Sequence, residues 1–123
     1  MTPFGAKLRE LRRERGITLT QMAEALRISA SYLSALERGK RGRPTWLLVQ
    51  RCITYFNIIW DEAEELQRLA EASDPRITLD TSGLDPKATE LTNLLALKLR
   101  GLSRRSLEDL ILRVRSAAAK DGV

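Results

Sequence analysis

The chain has 123 residues, 43 % of them hydrophobic, which is enough to bury a core without a disulfide or metal staple. The presence of only one cysteine and no histidine excludes a disulfide framework and removes the commonest metal ligand and general base. The net charge of +5 is unevenly placed, at +7 in residues 1–56, −6 in residues 57–85 and +4 in residues 86–123, which predicts a polyanion-binding module at the front.

The first predicted helix starts at Pro3. Thr2 is expected as its N-cap, because proline is favoured at the first helical position, and Gly16 marks the end of the helix. Apolar residues recur along it at helical spacing, as Phe4, Leu8 and Leu11. This pattern predicts an amphipathic helix with one side facing a core.

The second and third predicted helices are separated by only two residues. Thr18 and Gln21 have the spacing of a capping box, which predicts a helix over residues 19–27. Ser29 can cap the next helix, and that helix turns two leucines inward, Leu33 and Leu36. Two short helices joined so closely must cross steeply, which is the helix-turn-helix arrangement that places the second helix in the major groove of DNA.

Two more helices are predicted after a glycine-containing loop. Apolar residues mark their core faces, namely Trp46, Val49, Ile53 and Phe56 in the fourth helix and Ala63, Leu66 and Ala70 in the fifth. Cys52 lies beside the first of these stripes, which predicts a buried thiol and not a redox sensor. Both tryptophans, Trp46 and Trp60, are expected in a core or an interface and not as platforms for base stacking.

Residues 74–85 are predicted to be a linker. Helix-breaking residues lie in it or at its end, as Pro75, Gly83 and Pro86. Ile77 and Leu79 alternate briefly with polar residues, which predicts a short strand or an extended arm.

The remaining residues, 86–123, predict a helical hairpin. Asp85 and Pro86 open a helix that runs to about Arg100, and Ser103 opens the last helix. Two such leucine-rich helices cannot hide both of their apolar stripes alone. We therefore expect a dimer interface, with packing back on the N-terminal domain as the alternative. The residues assigned to this interface are Leu91, Leu95, Leu107, Leu110, Ile111 and Val114.

The segment LRELRRERGITLTQMAEALRISASYLSALERGKRGRP resembles the Cro/CI-type helix-turn-helix domain of Xre-like repressors. The match covers residues 4–62 and depends on the helix-turn-helix spacing, the LERGK ending and the proline that follows. The matching residues include Arg12, Ala23, Ser29, Leu33, Glu37, Gly39 and Pro44. The resemblance implies an all-α fold with a five-helix domain in residues 1–73, after which the helical hairpin follows.

The resemblance also implies roles for single residues. The arginine matching Arg12 pairs in the family with the glutamate matching Glu37, so Glu37 is expected to be structural and not a DNA contact. By the same resemblance, the loop of residues 40–43 is expected to lie along the phosphates, with Arg43 approaching the minor groove. Leu19 departs from the family, which often has a glutamine there that contacts DNA. The possible substitutes for that contact are Thr18, Thr20 and Gln21.

The outward arc of the third helix carries mostly short side chains, as Ala30, Ser31, Ser34, Ala35 and Arg38. Alanine and serine make none of the bidentate contacts by which longer side chains read guanine or adenine. They do allow the helix to lie deep in a groove, where alanine touches thymine methyls and serine bonds either kind of base edge. Some specificity is therefore expected from DNA shape. The phosphates are assigned to Arg27, Arg38, Lys40, Arg41 and Arg43.

These observations predict a transcriptional regulator, specifically a repressor that binds a palindromic operator in double-stranded DNA as a homodimer. A controller of the antitoxin or restriction-modification kind is a variant with the same chemistry, for which a toxin or other regulatory protein would be an additional partner. The alternative is a protein-binding adaptor that keeps the fold without reading DNA, and only the alanine and serine arc favours it.

Other classes of function are not expected. No nucleophile and base pair or metal cluster emerges, so neither an enzyme, a cofactor nor a metal site is predicted. The chain has no run of 18 apolar residues and no signal-peptide core, which predicts a soluble cytoplasmic protein without membrane contact.

Overall fold

The computed structural model describes the whole chain, Met1–Val123, and every regular element in it is a helix. The elements are α1 (Pro3–Arg15), α2 (Leu19–Leu26), α3 (Ala30–Glu37), α4 (Trp46–Phe56), α5 (Trp60–Glu71), α6 (Pro86–Lys98) and α7 (Arg104–Lys120). They divide into an N-terminal unit, Met1–Ile77, and a C-terminal unit, Thr78–Val123. The predicted all-α fold class is confirmed, with five helices in the first unit and two in the second. None of the helices has the length and apolar character needed to cross a membrane.

Short polar side chains begin the helices where the sequence predicts. The Thr2 hydroxyl accepts a hydrogen bond from the Gly5 N–H at 3.0 Å. The capping box at α2 is present. The Gln21 side-chain oxygen accepts the Thr18 N–H at 2.9 Å, and the Thr18 hydroxyl accepts the Gln21 N–H at 3.1 Å. These bonds satisfy N–H groups that a helix start leaves unpaired. In the same way α3, α4, α6 and α7 are capped by Ser29, Thr45, Asp85 and Ser103.

One apolar core holds the N-terminal unit together, and all five of its helices contribute to it. The buried apolar residues are Phe4, Leu8, Leu11, Met22, Ala23, Leu26, Leu33, Leu36, Leu48, Val49, Cys52, Phe56, Ile58, Leu66 and Ala70. The inward positions predicted for α1 and α3 are among them. Because this core is contained in Met1–Ile77, we expect the unit to fold without the rest of the chain.

The two tryptophans lie outside this core. Trp46 is 73 % exposed and Trp60 is 80 % exposed, so the prediction that Trp46 faces the core is wrong. The inward face of α4 is centred near Cys52 and Phe56, and Trp46 lies roughly 100° around the helix from that centre. Trp60 starts α5 with φ +54°, a left-handed backbone conformation that a bulky residue rarely adopts.

The start of α1 passes very close to the end of α3. A Cβ atom on Gly5 would lie 2.3 Å from the carbonyl oxygen of Glu37, so only glycine fits there. The Thr2 N–H donates to the same carbonyl at 2.9 Å. The buried Ser73 hydroxyl, just after α5, accepts from the Phe4 N–H at 2.9 Å. These bonds join the start of α1 to the ends of α3 and α5.

The C-terminal unit contains no buried residue. Its first helix ends at Lys98 and continues as a 3-10 turn over Leu99–Gly101. The larger exposed apolar side chains on its helices and this turn are Leu91, Leu94, Leu97, Leu99, Leu110, Ile111, Leu112 and Val114. These helices therefore form without an apolar core of their own.

Of the two alternatives predicted for residues 77–79, a short strand or an extended arm, the strand is wrong. Ile77 and Leu79 lie in irregular backbone, and both side chains are exposed, at 71 % and 61 %. A strand needs a second strand as the partner for its backbone hydrogen bonds, and the chain contains no strand that could serve as one.

Candidate nucleic-acid interface

A sharp turn joins α2 to α3. Arg27 ends α2 with φ 60°, and the Ile28 N–H donates to the Ala23 carbonyl at 3.0 Å. Both helices place apolar residues in the same core, Met22 from α2 and Leu33 from α3 among them. The turn and the shared core fix the outward face of α3 relative to α2. This is the geometry by which a second helix is presented to the major groove.

The outward face of α3 presents the short side chains that the sequence predicts. Ser31 and Arg38 are exposed, while Ala30, Ser34 and Ala35 are half-buried. The two leucines of this helix are buried on the opposite side. The result is a surface without long side chains along most of α3, and such a surface can approach a groove closely.

Five cations border this surface, and none of them has a carboxylate oxygen within 4.0 Å. They are the exposed residues Arg27, Arg38, Lys40, Arg41 and Arg43. In α1, by contrast, Lys7, Arg9, Arg12 and Arg15 all pair with glutamates. Positive charge without a partner is therefore available around α3 and the loop after it, where phosphates would attract it.

The loop that follows α3 is ordered by two contacts of its arginines. The Arg41 guanidinium lies 5.9 Å from the centre of the Tyr32 ring, a cation–π distance, and the Arg38 Nε donates to the Ser34 carbonyl at 3.3 Å. Gly39 supplies a positive φ of 80°, which turns the chain directly after these contacts. The role of Tyr32 was not predicted, because no sequence spacing marks an aromatic ring that supports an arginine nine residues later.

The predicted pair of Arg12 and Glu37 is present beneath this loop. Both terminal nitrogens of the Arg12 guanidinium donate hydrogen bonds to the Glu37 carboxylate, and Nη2 lies 3.0 Å from Oε1. A second cation, Arg9, brings its Nε to 3.8 Å from the same oxygen. Since Glu37 is only 1 % exposed, its carboxylate ties α1 to the end of α3 and does not face solvent.

The start of α2 offers three exposed polar residues beside α3, namely Thr18, Thr20 and Gln21. The Thr18 hydroxyl and the Gln21 side-chain oxygen are both used by the capping box. The Thr20 hydroxyl and the Gln21 side-chain NH₂ form no hydrogen bond within the chain, so they remain available to a ligand. Leu19 packs against the core, half-buried, and offers no polar contact.

The thiol of Cys52, the single cysteine, is buried. Burial, with a smaller contribution from the Glu37 carboxylate, raises the pKa of the Cys52 thiol to about 12. The thiol is therefore protonated and inaccessible at neutral pH, as predicted for a buried cysteine. No three histidine, cysteine, aspartate or glutamate side chains are grouped so that they could hold a metal ion.

A residue outside the predicted set also lies at this site. Arg76 follows α5 in sequence but lines the same cleft as Arg38 and Lys40. No sequence signal indicates this, because Arg76 stands in the acidic stretch and is separated from the loop by two helices. Only the fold brings it there.

The residues predicted to form a dimer interface all remain accessible in the C-terminal unit. Leu95 and Leu107 are half-buried, and the others, Leu91, Leu110, Ile111 and Val114, are exposed. All four α7 positions, Leu107, Leu110, Ile111 and Val114, recur at i, i+3, i+4 and i+7 and so share one face.

In sequence, the chain is similar to helix-turn-helix proteins that are transcriptional regulators. A family profile described as a helix-turn-helix domain matches residues 3–73. The HTH-type transcriptional repressor RghR of Bacillus subtilis (strain 168) is 30 % identical over 116 residues, which cover 91 % of this chain and 86 % of the relative. The uncharacterised HTH-type transcriptional regulator RghRB of the same organism is 27 % identical over 121 residues, covering 89 % of this chain and 87 % of that protein.

A third relative matches a smaller part of the chain. The HTH-type transcriptional regulator DdrOP3 of Deinococcus deserti is 41 % identical over 61 residues, or 50 % of this chain and 47 % of that protein. The two Bacillus proteins, in contrast, are similar over lengths that exceed the N-terminal unit. No solved structure shows significant similarity to the chain.

Proposed function

The chain belongs to the helix-turn-helix domain family, and we propose that it is a DNA-binding transcriptional repressor that recognises a palindromic operator as a homodimer. The observation that carries this proposal is the set of five unpaired cations bordering the small-residue face of α3. The similar proteins named above are transcriptional regulators, one of them a repressor, which agrees with the proposal.

In this proposal α3 reads DNA through close approach. Ser31 and Ser34 hydrogen-bond to base edges, and the alanines touch thymine methyl groups. The bordering cations bind phosphates and set the register of the protein on the duplex. Since none of the alanines and serines on the face makes a bidentate base contact, much of the sequence preference comes from DNA shape and from the spacing of two half-sites.

The homodimer of the proposal is formed by the C-terminal unit. Its helices expose leucines and bury no residue, and an apolar surface of this kind is typical of a site that another protein surface covers. A second copy is the partner favoured, because two helices α3 related by a two-fold axis would bind two half-sites about one turn of DNA apart. The similarity to both Bacillus relatives continues into this region, which agrees with a shared role.

Selection of bound duplexes from a random pool at fixed salt tests the function directly. We expect a palindromic consensus from the full chain. With five cations from each of two protomers, roughly 6 to 10 phosphates are neutralised, so log K falls with log salt at about −0.9 for each phosphate. An affinity that does not change with salt would contradict DNA binding and favour an adaptor. A consensus without symmetry would contradict the homodimer alone.

A further inference from the structure

An open cleft of about 430 Å³ lies between the loop after α3 and the chain that leaves α5. It is lined by Arg38, Gly39, Lys40, Gly42, Pro75 and Arg76. All three cations of the cleft are exposed, and none has a carboxylate oxygen within 4.0 Å. The fold thus places one of the two arginines of the acidic stretch, residues 57–85, beside the basic loop.

Contacts just before it in the chain hold Arg76 at this position. Ser73 is 2 % exposed and bonds to the start of α1 through its hydroxyl. Pro75 lies against Gly39, since a Cβ atom on that glycine would stand 3.4 Å from the Cβ of Pro75. The Asp74 carboxylate accepts the Arg76 N–H at 3.0 Å, which closes a local turn. The backbone that carries Arg76 is therefore fixed beside the loop.

We propose that Arg38, Lys40 and Arg76 form one phosphate-binding subsite, and that its ligand is a phosphate of the DNA backbone. Three neighbouring cations, none of them in an ion pair, attract a phosphate anion, and two of them are arginines, whose planar guanidinium can bind phosphate oxygens in pairs. The cleft adjoins the loop that leads away from the DNA-reading face of α3, where a backbone contact would fall. This inference rests on the proposed function.

The subsite extends the DNA contact beyond the helix-turn-helix itself. Residue 76 stands immediately before the C-terminal unit, which begins at Thr78. A phosphate bound there would hold the chain at this point against the duplex. A free phosphorylated molecule has the same chemistry as a backbone phosphate, so the experiment must separate the two sources.

The test is a salt titration of duplex binding by the full-length protein and its Arg76→Ala variant. Loss of one phosphate contact per protomer makes the slope of log K against log salt shallower by about 0.9 per protomer, and lowers affinity about fivefold per protomer at 0.15 M salt. Arg76→Lys keeps the charge and should retain most of the slope. Arg68→Ala is the matched control, because Arg68 is an exposed arginine of α5 that does not line the cleft.

The outcomes separate this inference from the function on which it depends. If the unmodified protein binds DNA but Arg76→Ala keeps the same slope and affinity, the subsite is wrong and the function stands. If the unmodified protein binds no duplex, the function itself fails. Inorganic phosphate is titrated into the DNA-free protein as a third arm. Saturable binding below millimolar concentration that is lost in Arg76→Ala would assign the cleft to a free phosphorylated ligand and overturn the DNA source.

Discussion

The N-terminal unit buries fifteen apolar side chains, whereas the C-terminal unit, built from helices that are at least as long, buries none. Both units have well-capped helices, so capping does not distinguish them. The difference is that five helices crossing steeply can enclose a core and two cannot. Helical stability in proteins comes mainly from packing of an amphipathic face. This contrast is the reason why we propose that the C-terminal helices pack on a surface outside their own unit.

Cutting the chain after Ile77 is the most severe test of this contrast. We expect the shortened protein to stay folded, because its core is complete, but to be monomeric. A monomer loses the joint binding of two half-sites, which is worth about 10² to 10⁴ in affinity. Sedimentation and circular dichroism measure the two properties separately. A tight dimer of the shortened protein would place the interface in the N-terminal unit.

A charge on the apolar stripe of α7 should act almost as strongly. Val114→Asp, or Leu110→Asp, puts a carboxylate into the proposed interface, so dimers should dissociate and operator affinity fall by up to the same factor. Ser116→Asp is the matched control, since it adds the same charge to the opposite face of the helix. Equal effects of Val114→Asp and Ser116→Asp on the sedimentation coefficient would contradict an interface on this stripe.

Glu37→Ala should damage the N-terminal unit only. Removing the carboxylate leaves Arg12, which is 8 % exposed, without its partner, and breaking such a pair costs about 3 to 5 kcal/mol. The free energy of unfolding and DNA binding are measured separately. Glu24→Ala, at an exposed glutamate of α2, is the control and should change stability little. Unchanged stability with lost binding would mean that Glu37 contacts DNA.

Single arginines of the loop should have smaller effects. Arg41→Ala or Arg43→Ala removes one phosphate contact per protomer, so affinity should fall about fivefold per protomer at 0.15 M salt, and to a similar degree for every sequence. Arg13→Ala, on α1, serves as the control for the loss of an exposed positive charge. A loss of preference at one base pair alone would show that the arginine reads a base instead.

The features that the sequence predicted correctly are local or depend on a strong spacing. The capping box of α2 is formed by Thr18 and Gln21, which lie within four residues of sequence. The inward leucines of α3 follow from helical periodicity. The Arg12 and Glu37 pair joins residues 25 positions apart and was accessible only through a family resemblance.

The features that it missed depend on how elements meet. Helical periodicity placed Trp46 on the core face of α4, but the buried face of that helix is formed by Leu48, Val49, Cys52 and Phe56. Alternation near Ile77 predicted a short strand or an extended arm, and no strand forms there. Arg76 reaches the basic loop only because α5 ends beside the start of α1. No local pattern contains that information.

Cys52 gives the smallest predicted effect, and it reports on the N-terminal unit alone because the other unit has no cysteine. Its pKa is raised from 9.0 to about 12 by burial and, less, by Glu37. Below pH 9 both the folded and unfolded thiols are protonated, and the contribution to stability is fully present. Between pH 9 and 12 only the unfolded thiol ionises, so the contribution is progressively lost. By pH 9.5 the loss is still under about 1 kcal/mol. Urea unfolding of the wild type and of Cys52→Ala across this range isolates the contribution of the thiol to the free energy of unfolding, since the contributions of the other titrating groups cancel in the difference. A stability difference that stays constant above pH 9 would show that the thiol is not shielded.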